Sequence, residues 1–489
     1  MTNDRSIGAR FADLARTHSE FPAIALPEGD ITYGHLLKIV GTFARRMQGL
    51  GVERKSIVAL NTTDIVVSVA ALMATALLGC QVVIAGQNLA RTKALRPTHF
   101  LRSSEMQEGR RQSFQLIDES WWPGPESGTE VRVDAFDDVD LGAAWLAQHT
   151  SGTTGTPKYL SLSQRIVLDR TSAIGSDFPY AATTVAMLFG CTTRPFQARA
   201  IGALLNACTI VSGTDLAQWR KSGVNYVCGS PLQVADKFRN AELGRRFQRI
   251  ETSGGRLSDP DAGILLEHFE TVIDIYGASE TNKTFATLVE RGADGSILRT
   301  GRKLDSEVEI IDRDNRPCAP GEVGRVRVRN GYLAPGYINQ PEKTVKSFSD
   351  GWFYPGDIGQ WTDRGALEII AREDDLLSIG GVKVYATLLD LMMSVVPGVQ
   401  EAICFKNPKG SAAEELLAFV KFDPLVNRID CTERIRQAIT DKFGVMLPIR
   451  NIHAIDAIPR DENGKPLRFV AQKIILDKVA QLSAARQPE

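Results

Sequence analysis

The stretch His149-Thr-Ser-Gly-Thr-Thr-Gly-Thr-Pro-Lys158 is a run of glycines and hydroxyl residues that ends in a lysine. A loop with so little side-chain bulk can bring backbone N–H groups close to a polyphosphate, while its hydroxyl groups and Lys158 add donors and one positive charge. Gly152 and Gly155 lie three residues apart, so the stretch follows neither the common phosphate-loop pattern nor GxGxxG. It predicts a nucleotide site, and an ordinary surface turn is the alternative.

Length and charge limit the class of protein. The chain has 489 residues, more than the roughly 250–300 at which a single core stops growing, so at least two domains are expected. Its 57 basic and 58 acidic side chains give a net charge of −1, which provides no field to attract nucleic acid or an anionic membrane. We therefore expect a small-molecule partner and no nucleic acid.

The cysteines and the apolar segments indicate the cellular compartment in which the protein works. Seven scattered cysteines without a CxxC pair or metal-ligand spacing predict reduced, mostly buried thiols, and the start of the chain lacks an apolar signal region. We expect a cytoplasmic protein. The apolar stretch 65–85 approaches the length of a membrane span, but it is weakly hydrophobic and interrupted at Gly79. A buried helix followed by a core strand is favoured over a span.

Helical and strand-like patterns alternate along the chain, which is typical of an α/β fold with parallel sheets. We expect a helix near 36–50 and a buried strand at 57–60. Further short apolar strands are expected at 184–188, 208–211, 226–228 and 271–275. From 307 to 330 alternating strands predict a small antiparallel or barrel-like subdomain, and the mixed pattern beyond 374 is long enough for a separate domain.

Six further motifs accompany the glycine-rich loop in chain order. They are Asp30-Ile-Thr-Tyr-Gly-His-Leu36, Asp274-Ile-Tyr-Gly-Ala-Ser-Glu-Thr281, Gly351-Trp-Phe-Tyr-Pro-Gly-Asp357, Arg372-Glu-Asp-Asp375, Gly380-Gly-Val-Lys383 and Pro459-Arg-Asp-Glu-Asn-Gly-Lys465. On these motifs almost the whole chain resembles the adenylate-forming superfamily of acyl-CoA synthetases, stand-alone adenylation domains and firefly-type luciferases.

The resemblance implies both an architecture and a reaction. The architecture is a large N-terminal core domain, 1–373, of α/β sheets with a small β-barrel-like subdomain, followed by a small mobile α+β lid domain, 374–489. In the reaction a carboxylate attacks the α-phosphate of ATP, pyrophosphate leaves and an acyl-adenylate remains. Because both reactants are anions, the site must stabilise the charge that develops on the phosphoryl oxygens.

Catalytic roles follow from the resemblance residue by residue. Lys465 resembles the lysine that reaches the carboxylate and the α-phosphate, where one positive charge suits both anions. Glu280 resembles the ligand of Mg²⁺, a cation that prefers hard oxygen donors. Ser279 takes the place of a threonine whose hydroxyl group faces the phosphates.

Nucleotide binding is assigned in the same way. Lys158 is expected to steady the leaving phosphates, Tyr276 to offer a flat face to adenine, and Asp274 to accept from its exocyclic amine. Asp357 resembles the acid that accepts both ribose hydroxyl groups, and Arg372 the arginine that also holds the ribose. The other expected nucleotide-binding residues are Thr150, Ser151, Gly152, Thr153, Thr154, Gly155, Gly254, Gly255, Arg256 and Gly277.

The acyl pocket is expected around Gly190-Cys-Thr-Thr-Arg194, aligned on a following helix at 201–207, with Gly255, Gly277 and Ala278 nearby. Amino-acid-activating relatives carry an aspartate there for the substrate ammonium, whereas this chain offers Arg194, or Thr193 if the register shifts by one. A cation disfavours α-amino acids and makes a polar or anionic acyl tail conceivable. The alternative is that Arg194 points outward as a surface residue.

The second half-reaction needs a thiol. Asp374 resembles the hinge of the family, and Gly380 and Gly381 stand where relatives line the tunnel for a pantetheine thiol. We expect an ATP- and Mg²⁺-dependent acyl- or aryl-CoA ligase that acts on a small carboxylic acid. The alternatives are a stand-alone adenylation enzyme that loads the phosphopantetheine of an acyl carrier protein in trans, and a catalytically silent nucleotide-binding relative.

Overall fold

The structure is a computed structural model of the chain. It describes residues 5–86, 89–104, 114–127, 138–150, 158–175, 183–242, 244–379, 382–406, 416–443, 449–460 and 466–474. The chain divides into two units, of which the first comprises residues 1–150, 157–308 and 328–353 and the second residues 151–156, 309–327 and 354–489. The boundary expected between 373 and 374 stays a prediction.

Helices and strands are numbered in chain order over the described residues. The α-helices are α1 (Ile7–Thr17), α2 (Tyr33–Gly49), α3 (Ile65–Leu78), α4 (Gln164–Gly175), α5 (Arg194–Leu204), α6 (Leu216–Lys221), α7 (Pro231–Phe238), α8 (Asp259–His268), α9 (Pro341–Ser347), α10 (Ala386–Ser394) and α11 (Arg428–Phe443). The strands are β1 (Pro22–Leu26), β2 (Gly29–Thr32), β3 (Ile57–Asn61), β4 (Gln81–Ile84), β5 (His99–Ser103), β6 (Gln115–Ile117), β7 (Ala144–Thr150), β8 (Lys158–Ser163), β9 (Thr184–Met187), β10 (Thr209–Val211), β11 (Tyr226–Gly229), β12 (Phe247–Ser253), β13 (Phe269–Ala278), β14 (Asn282–Arg291), β15 (Ile297–Lys303), β16 (Glu307–Ile311), β17 (Gly324–Arg329), β18 (Phe348–Ser349), β19 (Trp352–Phe353), β20 (Asp357–Trp361), β21 (Leu367–Arg372), β22 (Leu376–Ile379), β23 (Val382–Tyr385), β24 (Val399–Lys406), β25 (Leu416–Phe422) and β26 (Ile449–Ala454).

Two large sheets with mostly parallel strands make up the first unit. The nine-stranded sheet has the order β15-β14-β13-β12-β11-β9-β10-β1-β2, and its strands from β13 to β1 run parallel. The six-stranded sheet has the order β6-β5-β3-β4-β7-β8 and is parallel except for β8. The strands expected from short apolar runs are present, and the predicted α/β fold class is confirmed.

Helix α3 is the apolar segment that raised the question of a membrane span. Asp64 caps its start by accepting a hydrogen bond from the Val67 N–H, and Gly79 ends it in the left-handed conformation, with φ of 66°. Nearly every α3 side chain is buried in the main core of the first unit, and β4 follows directly. The segment is a buried helix and a core strand, as predicted. Over the described ranges, no helix is both long and apolar enough to cross a membrane.

The second unit combines antiparallel strands with an α+β segment. β20 and β21 form an antiparallel ladder, β24 and β25 form another, and β26 joins β25 in parallel. A hydrophobic core of this unit draws all its members from between Ile379 and Ile449, in strands β22 to β26 and helices α10 and α11. The two strands expected in the 307–330 region correspond to β16 and β17.

One element differs from expectation. The helix expected at 201–207 begins at Arg194 instead, so the segment thought to precede it forms its first turns. Thr193 accepts a hydrogen bond from the Phe196 N–H and Pro195 stands in the first turn, and both are start signals for a helix. The expected start of the helix was wrong, because this cap and this proline place it seven residues earlier, at Arg194.

Candidate active site

The glycine-rich loop connects two adjacent antiparallel strands of the six-stranded sheet. β7 ends at Thr150 and β8 begins at Lys158, and these two residues are register partners. The Lys158 ammonium lies 4.8 Å from the centroid of the Tyr337 ring, a cation–π distance. The cation at the end of the loop therefore has a defined place on an aromatic ring. The loop residues Ser151, Gly152, Thr153, Thr154 and Gly155 lie outside the described residues.

Tyr337 connects this lysine to the expected magnesium ligand. Its hydroxyl group donates a 2.7 Å hydrogen bond to Oε1 of Glu280, whose side chain is only 7% exposed. An antiparallel bridge with Leu160 of β8 holds the tyrosine backbone in place. Sequence reasoning missed Tyr337, because a single tyrosine carries no mark of what its hydroxyl group will bond.

Arg170 of α4 forms hydrogen bonds to the backbone around Glu280. Its guanidinium donates to three backbone carbonyls, those of Tyr332 at 3.0 Å, Ser279 at 3.1 Å and Glu280 at 2.7 Å. The side chain is 4% exposed, and burial, together with the nearby Arg194, lowers its pKa to about 9. Sequence reasoning missed Arg170 as well, because a helical arginine reads as a solvated surface residue.

The donor set around Glu280 fits a magnesium ion that arrives with phosphates. Mg²⁺ is commonly held by one or two carboxylates together with substrate phosphates. Glu280 supplies one buried carboxylate, and Tyr337 fixes the orientation of one of its oxygens. Among the residues that the structure describes, no group of three or more His, Cys, Asp or Glu side chains could hold a metal ion by itself.

The end of β13 brings the next expected site residues together. The β13–β14 register shifts between Tyr276 and Gly277, and a Cβ atom on Gly277 would lie 2.1 Å from the Asn282 carbonyl oxygen. Only glycine fits this close approach. Half-buried Ala278 and Ser279 follow and lead into Glu280.

On the neighbouring strand β12, the glycine pair lies just past the strand end. Gly254 has φ of 89°, a conformation that glycine adopts readily, and Gly255 and Arg256 are exposed beside it. A Cβ atom on Gly255 would meet only Pro231, at 3.6 Å. The pair thus presents accessible backbone on the side of the sheet where β13 also ends.

The side chain of Asp274 is held by a hydrogen bond between the same two strands. It is the register partner of Thr252, whose hydroxyl group donates a 2.6 Å hydrogen bond to Oδ1 of Asp274. Burial raises the pKa of Asp274 to about 6. The carboxyl group is therefore an acceptor that takes up a proton much closer to neutral pH than an ordinary aspartate.

The expected ribose-binding pair lies in the second unit. Asp357 and Arg372 are register partners in the β20–β21 ladder, and Nη1 of Arg372 donates a 2.8 Å hydrogen bond to Oδ1 of Asp357. Asp357 is 7% exposed. The two side chains therefore orient one another, and this unit places both of the predicted ribose contacts together.

Arg194 points inward rather than to the surface. Its Nη2 donates a 2.5 Å hydrogen bond to Oδ1 of Asn282, and its buried Nε has no hydrogen-bond partner among the described residues. Thr193 is 2% exposed, and its hydroxyl group caps α5 and also donates to the Gly190 carbonyl at 2.8 Å. Of the two residues considered for the acyl pocket, Arg194 is the one that lines a cavity.

Besides the loop residues, three more expected site residues cannot be placed. Lys465, Gly380 and Gly381 lie outside the described ranges. Asp374 lies in a single short turn, Glu373–Asp375, after β21. The roles assigned to all the site residues stay predictions.

Comparison with known proteins identifies the family. The AMP-binding enzyme family matches residues 11–338, and the chain belongs to it. A 2-succinylbenzoate–CoA ligase of Geobacillus kaustophilus is 27% identical over 365 residues, which cover 71% of this chain and 72% of that protein. A probable CoA ligase of Humulus lupulus is 24% identical over 100% of this chain and 99% of its own length.

A solved structure shares the fold. The o-succinylbenzoate CoA synthetase of Bacillus subtilis, in complex with its acyl-adenylate intermediate, has a TM-score of 0.79 at 18% identity and covers 94% of this chain and 97% of its own. The family match over residues 11–338, together with the CoA-ligase relatives, confirms the predicted adenylate-forming superfamily.

Proposed function

We propose that this protein activates a carboxylic acid with ATP to give an acyl-adenylate and pyrophosphate, and then transfers the acyl group to the thiol of coenzyme A. The observation that carries the proposal is the arrangement at Glu280, whose buried carboxylate is held by Tyr337 and whose backbone is held by Arg170. Lys158, at the end of the glycine-rich loop, contacts the ring of the same tyrosine.

Each of these groups has a task in the proposed reaction. Lys158 and the loop backbone steady the departing phosphates, and Glu280 would hold the Mg²⁺ ion, which would neutralise phosphate charge. Asp357 and Arg372 hold the ribose. Lys465 approaches the carboxylate and the α-phosphate, and at 4 Å and an effective dielectric constant of 20 one such attraction is worth about 4 kcal/mol.

The relatives support coenzyme A as the acceptor. Both sequence relatives described above are named as CoA ligases, and one of them spans the full length of this chain. An acyl carrier protein acting in trans is the second candidate, because its phosphopantetheine arm ends in the same kind of thiol as coenzyme A. A silent nucleotide-binding protein is the third.

Pyrophosphate exchange into ATP against a panel of carboxylic acids tests the adenylation step. We expect exchange with at least one acid, and its loss by two to three powers of ten in Lys465→Ala, while ATP still binds. Lys473→Ala, which removes an exposed lysine nearby in sequence, is the matched control and should exchange normally. ATP binding without exchange for any acid would leave only the silent protein.

The acceptor is tested separately. The acid that supports exchange is incubated with ATP and either coenzyme A or a holo acyl carrier protein, and the products are weighed by mass spectrometry. We expect an acyl-CoA thioester; a thioester on the carrier protein alone would favour the second candidate.

We also propose that the protein works in the cytoplasm. None of the seven cysteines forms a disulfide, and six of them are buried, which suits a reducing compartment. Cell fractionation with an antibody to the chain would test this placement.

A further inference from the structure

The first unit contains a cavity whose lining includes Asn282 and Lys283, which follow Glu280 closely in the chain. Helices α4 and α5, strands β7 and β8 and the start of β14 form its walls. Much of the lining is apolar, and its polar part consists mainly of Arg170, Arg194, Arg199, Asn282 and Lys283. Its volume is about 50 Å³. One buried water needs about 10–15 Å³ of such space, so the cavity has room for three to five waters or one small polar group.

Four cations surround this cavity, which is unusual for a protein interior. Arg170, Arg199 and Lys283 are 4%, 8% and 8% exposed, and the Nε of Arg194 is buried. Glu251 is the carboxylate that compensates two of them, with 2.6 Å contacts to both Arg199 and Lys283. Lys283 and Arg199 outweigh the effect of burial and lower the pKa of Glu251 to about 2.

The other two cations, Arg170 and Arg194, form no ion pair with any described residue. Arg170 bonds three carbonyl oxygens, and Arg194 bonds the neutral amide of Asn282. Glu280 attracts both from a greater distance, yet even if it is counted the four cations outnumber the two carboxylates. Burial, together with Arg199, lowers the pKa of Arg194 to about 10. A buried guanidinium without a carboxylate is costly, so a missing anion is the natural complement.

We propose that this cavity binds a second carboxylate group, at the far end of the acid that the enzyme activates. The inference rests on the proposed function and names its substrate class as dicarboxylic acids. Arg194 is the main contact, because a guanidinium binds a carboxylate through two parallel hydrogen bonds and its Nε is unoccupied. Arg170 and Lys283 add positive charge on either side.

The uncompensated positive charge of the cavity also disfavours other acids. An acid with an ammonium group at its far end would be repelled by the uncompensated cations, and an uncharged tail would leave them without a counter-charge. Because the cavity admits only a few heavy atoms beyond the carboxylate itself, we expect the far end of the acid to be compact rather than bulky.

Matched pairs of acids with equal carbon number provide the test. Pyrophosphate exchange is measured for succinate against butyrate, glutarate against pentanoate and adipate against hexanoate. We expect the dicarboxylic acid to give the higher kcat/KM in at least one pair, by on the order of 100-fold. Exchange with the monocarboxylic acids as good or better in every pair would overturn the inference but leave the proposed function intact. No exchange with any acid would instead remove the proposed function.

Variants of Arg194 locate the effect. Arg194→Gln should lower kcat/KM for the preferred dicarboxylic acid on the order of 100-fold while the matched monocarboxylic acid changes little, and Arg194→Lys should restore part of the preference. Arg316→Gln, which removes an exposed arginine of the second unit, is the control and should leave the ratio unchanged. A parallel loss for both acids of a pair in Arg194→Gln would refute the role of Arg194.

A second variant tests the cavity without relying on catalysis. Ala198 lines the cavity one helical turn after Arg194, so an aspartate there lies on the same face as the guanidinium. We expect Ala198→Asp to have a higher Tm than Ala198→Asn and to lose the preference for dicarboxylic acids. A lower Tm for the aspartate than for the asparagine would show that the cavity does not accept a carboxylate. The Tm of the wild type is also measured with added sulfate and with the added dicarboxylic acid. An equal rise in Tm with both anions would overturn the inference, because it would show a nonspecific anion site.

Discussion

At the residue scale, the buried ion cluster around Glu251 is the most demanding feature of the first unit. Arg199 and Lys283 contact the carboxylate at 2.6 Å, and the Tyr226 hydroxyl group donates to it at 2.7 Å. Each of these side chains is less than a tenth exposed. Removing the negative charge would leave two buried cations without their counter-ion.

Glu251→Gln is therefore expected to lower the free energy of unfolding by about 3–5 kcal/mol, because it breaks a buried pair from one side. Urea unfolding of the purified protein measures the change. Glu270→Gln, in which an exposed glutamate is replaced, is the matched control and should change stability by less than about 0.5 kcal/mol. A change in Glu251→Gln no larger than that of the control would mean that the cluster contributes little.

Asp274 gives stability a dependence on pH. Its pKa is about 6 in the folded chain, above the value of about 3.9 expected when unfolded, so the folded state holds the proton longer. The stability that the protonated group contributes is lost as pH rises from about 4 to 6, because the unfolded state ionises first. Asparagine keeps the acceptor for Thr252 and has no charge to bury.

We expect Asp274→Asn to be more stable than the wild type, with a difference about 1–1.5 kcal/mol larger at pH 8 than at pH 5. Urea unfolding at the two pH values measures this. ATP binding should persist, since an amide oxygen can also accept from the adenine amine. A difference that does not grow with pH would contradict the raised pKa.

At the element scale, the crossing of α1 and α3 depends on one small residue. Gly8 is buried, and a Cβ atom there would lie 2.8 Å from the Leu77 backbone nitrogen and 2.8 Å from the Met73 carbonyl oxygen. Because these atoms belong to the α3 backbone, they cannot move aside as a side chain would. The two helices can approach this closely only with glycine at the contact.

Gly8→Ala is therefore expected to destabilise the protein by about 1–3 kcal/mol despite the higher helix propensity of alanine. Gly49→Ala, at the end of α2 with no atom within 4 Å of the new methyl group, is the control and should be neutral or slightly stabilising. Thermal and urea unfolding of both variants give the comparison. Equal stability of the two variants would show that α1 shifts without cost.

Elements were predictable where local signals decide them. Four strands of the nine-stranded sheet, β9, β10, β11 and β13, were predicted from short apolar runs, because both faces of a parallel sheet are covered. Helix α3 was predicted from a longer apolar stretch. The start of α5 was missed although Thr193 and Pro195 mark it, since a capping residue and a proline are typical signals of a helix start. The error mattered, because it left Arg194 in a loop when it stands in the first turn of a helix.

At the scale of the whole molecule, the C-terminal part of the chain has a core of its own. The members of this core lie between Ile379 and Ile449, and a smaller cluster between Ile403 and Ala471 packs on the other face of β24 and β25. Both clusters fall within the lid domain expected at 374–489. A segment with its own core can in principle fold alone.

A fragment comprising residues 374–489 is expected to fold independently, with a cooperative urea transition followed by circular dichroism. A longer fragment, 354–489, which keeps the β20–β21 ladder, is the comparison. Folding of the longer fragment alone would place the boundary before β20 and contradict the prediction at 373 and 374.

The family, the α/β class and the order of the motifs could be predicted from the amino-acid sequence, because motifs and apolar runs are local features of the chain. Which side chains share the site depends on tertiary packing. Arg170 meets Glu280 across 110 residues of chain, and Arg194 meets Asn282 across 88. An arginine on a helix reads as a surface residue until segments distant in sequence bury it. The excess of positive charge in the cavity is therefore a property of the fold that no single motif contains.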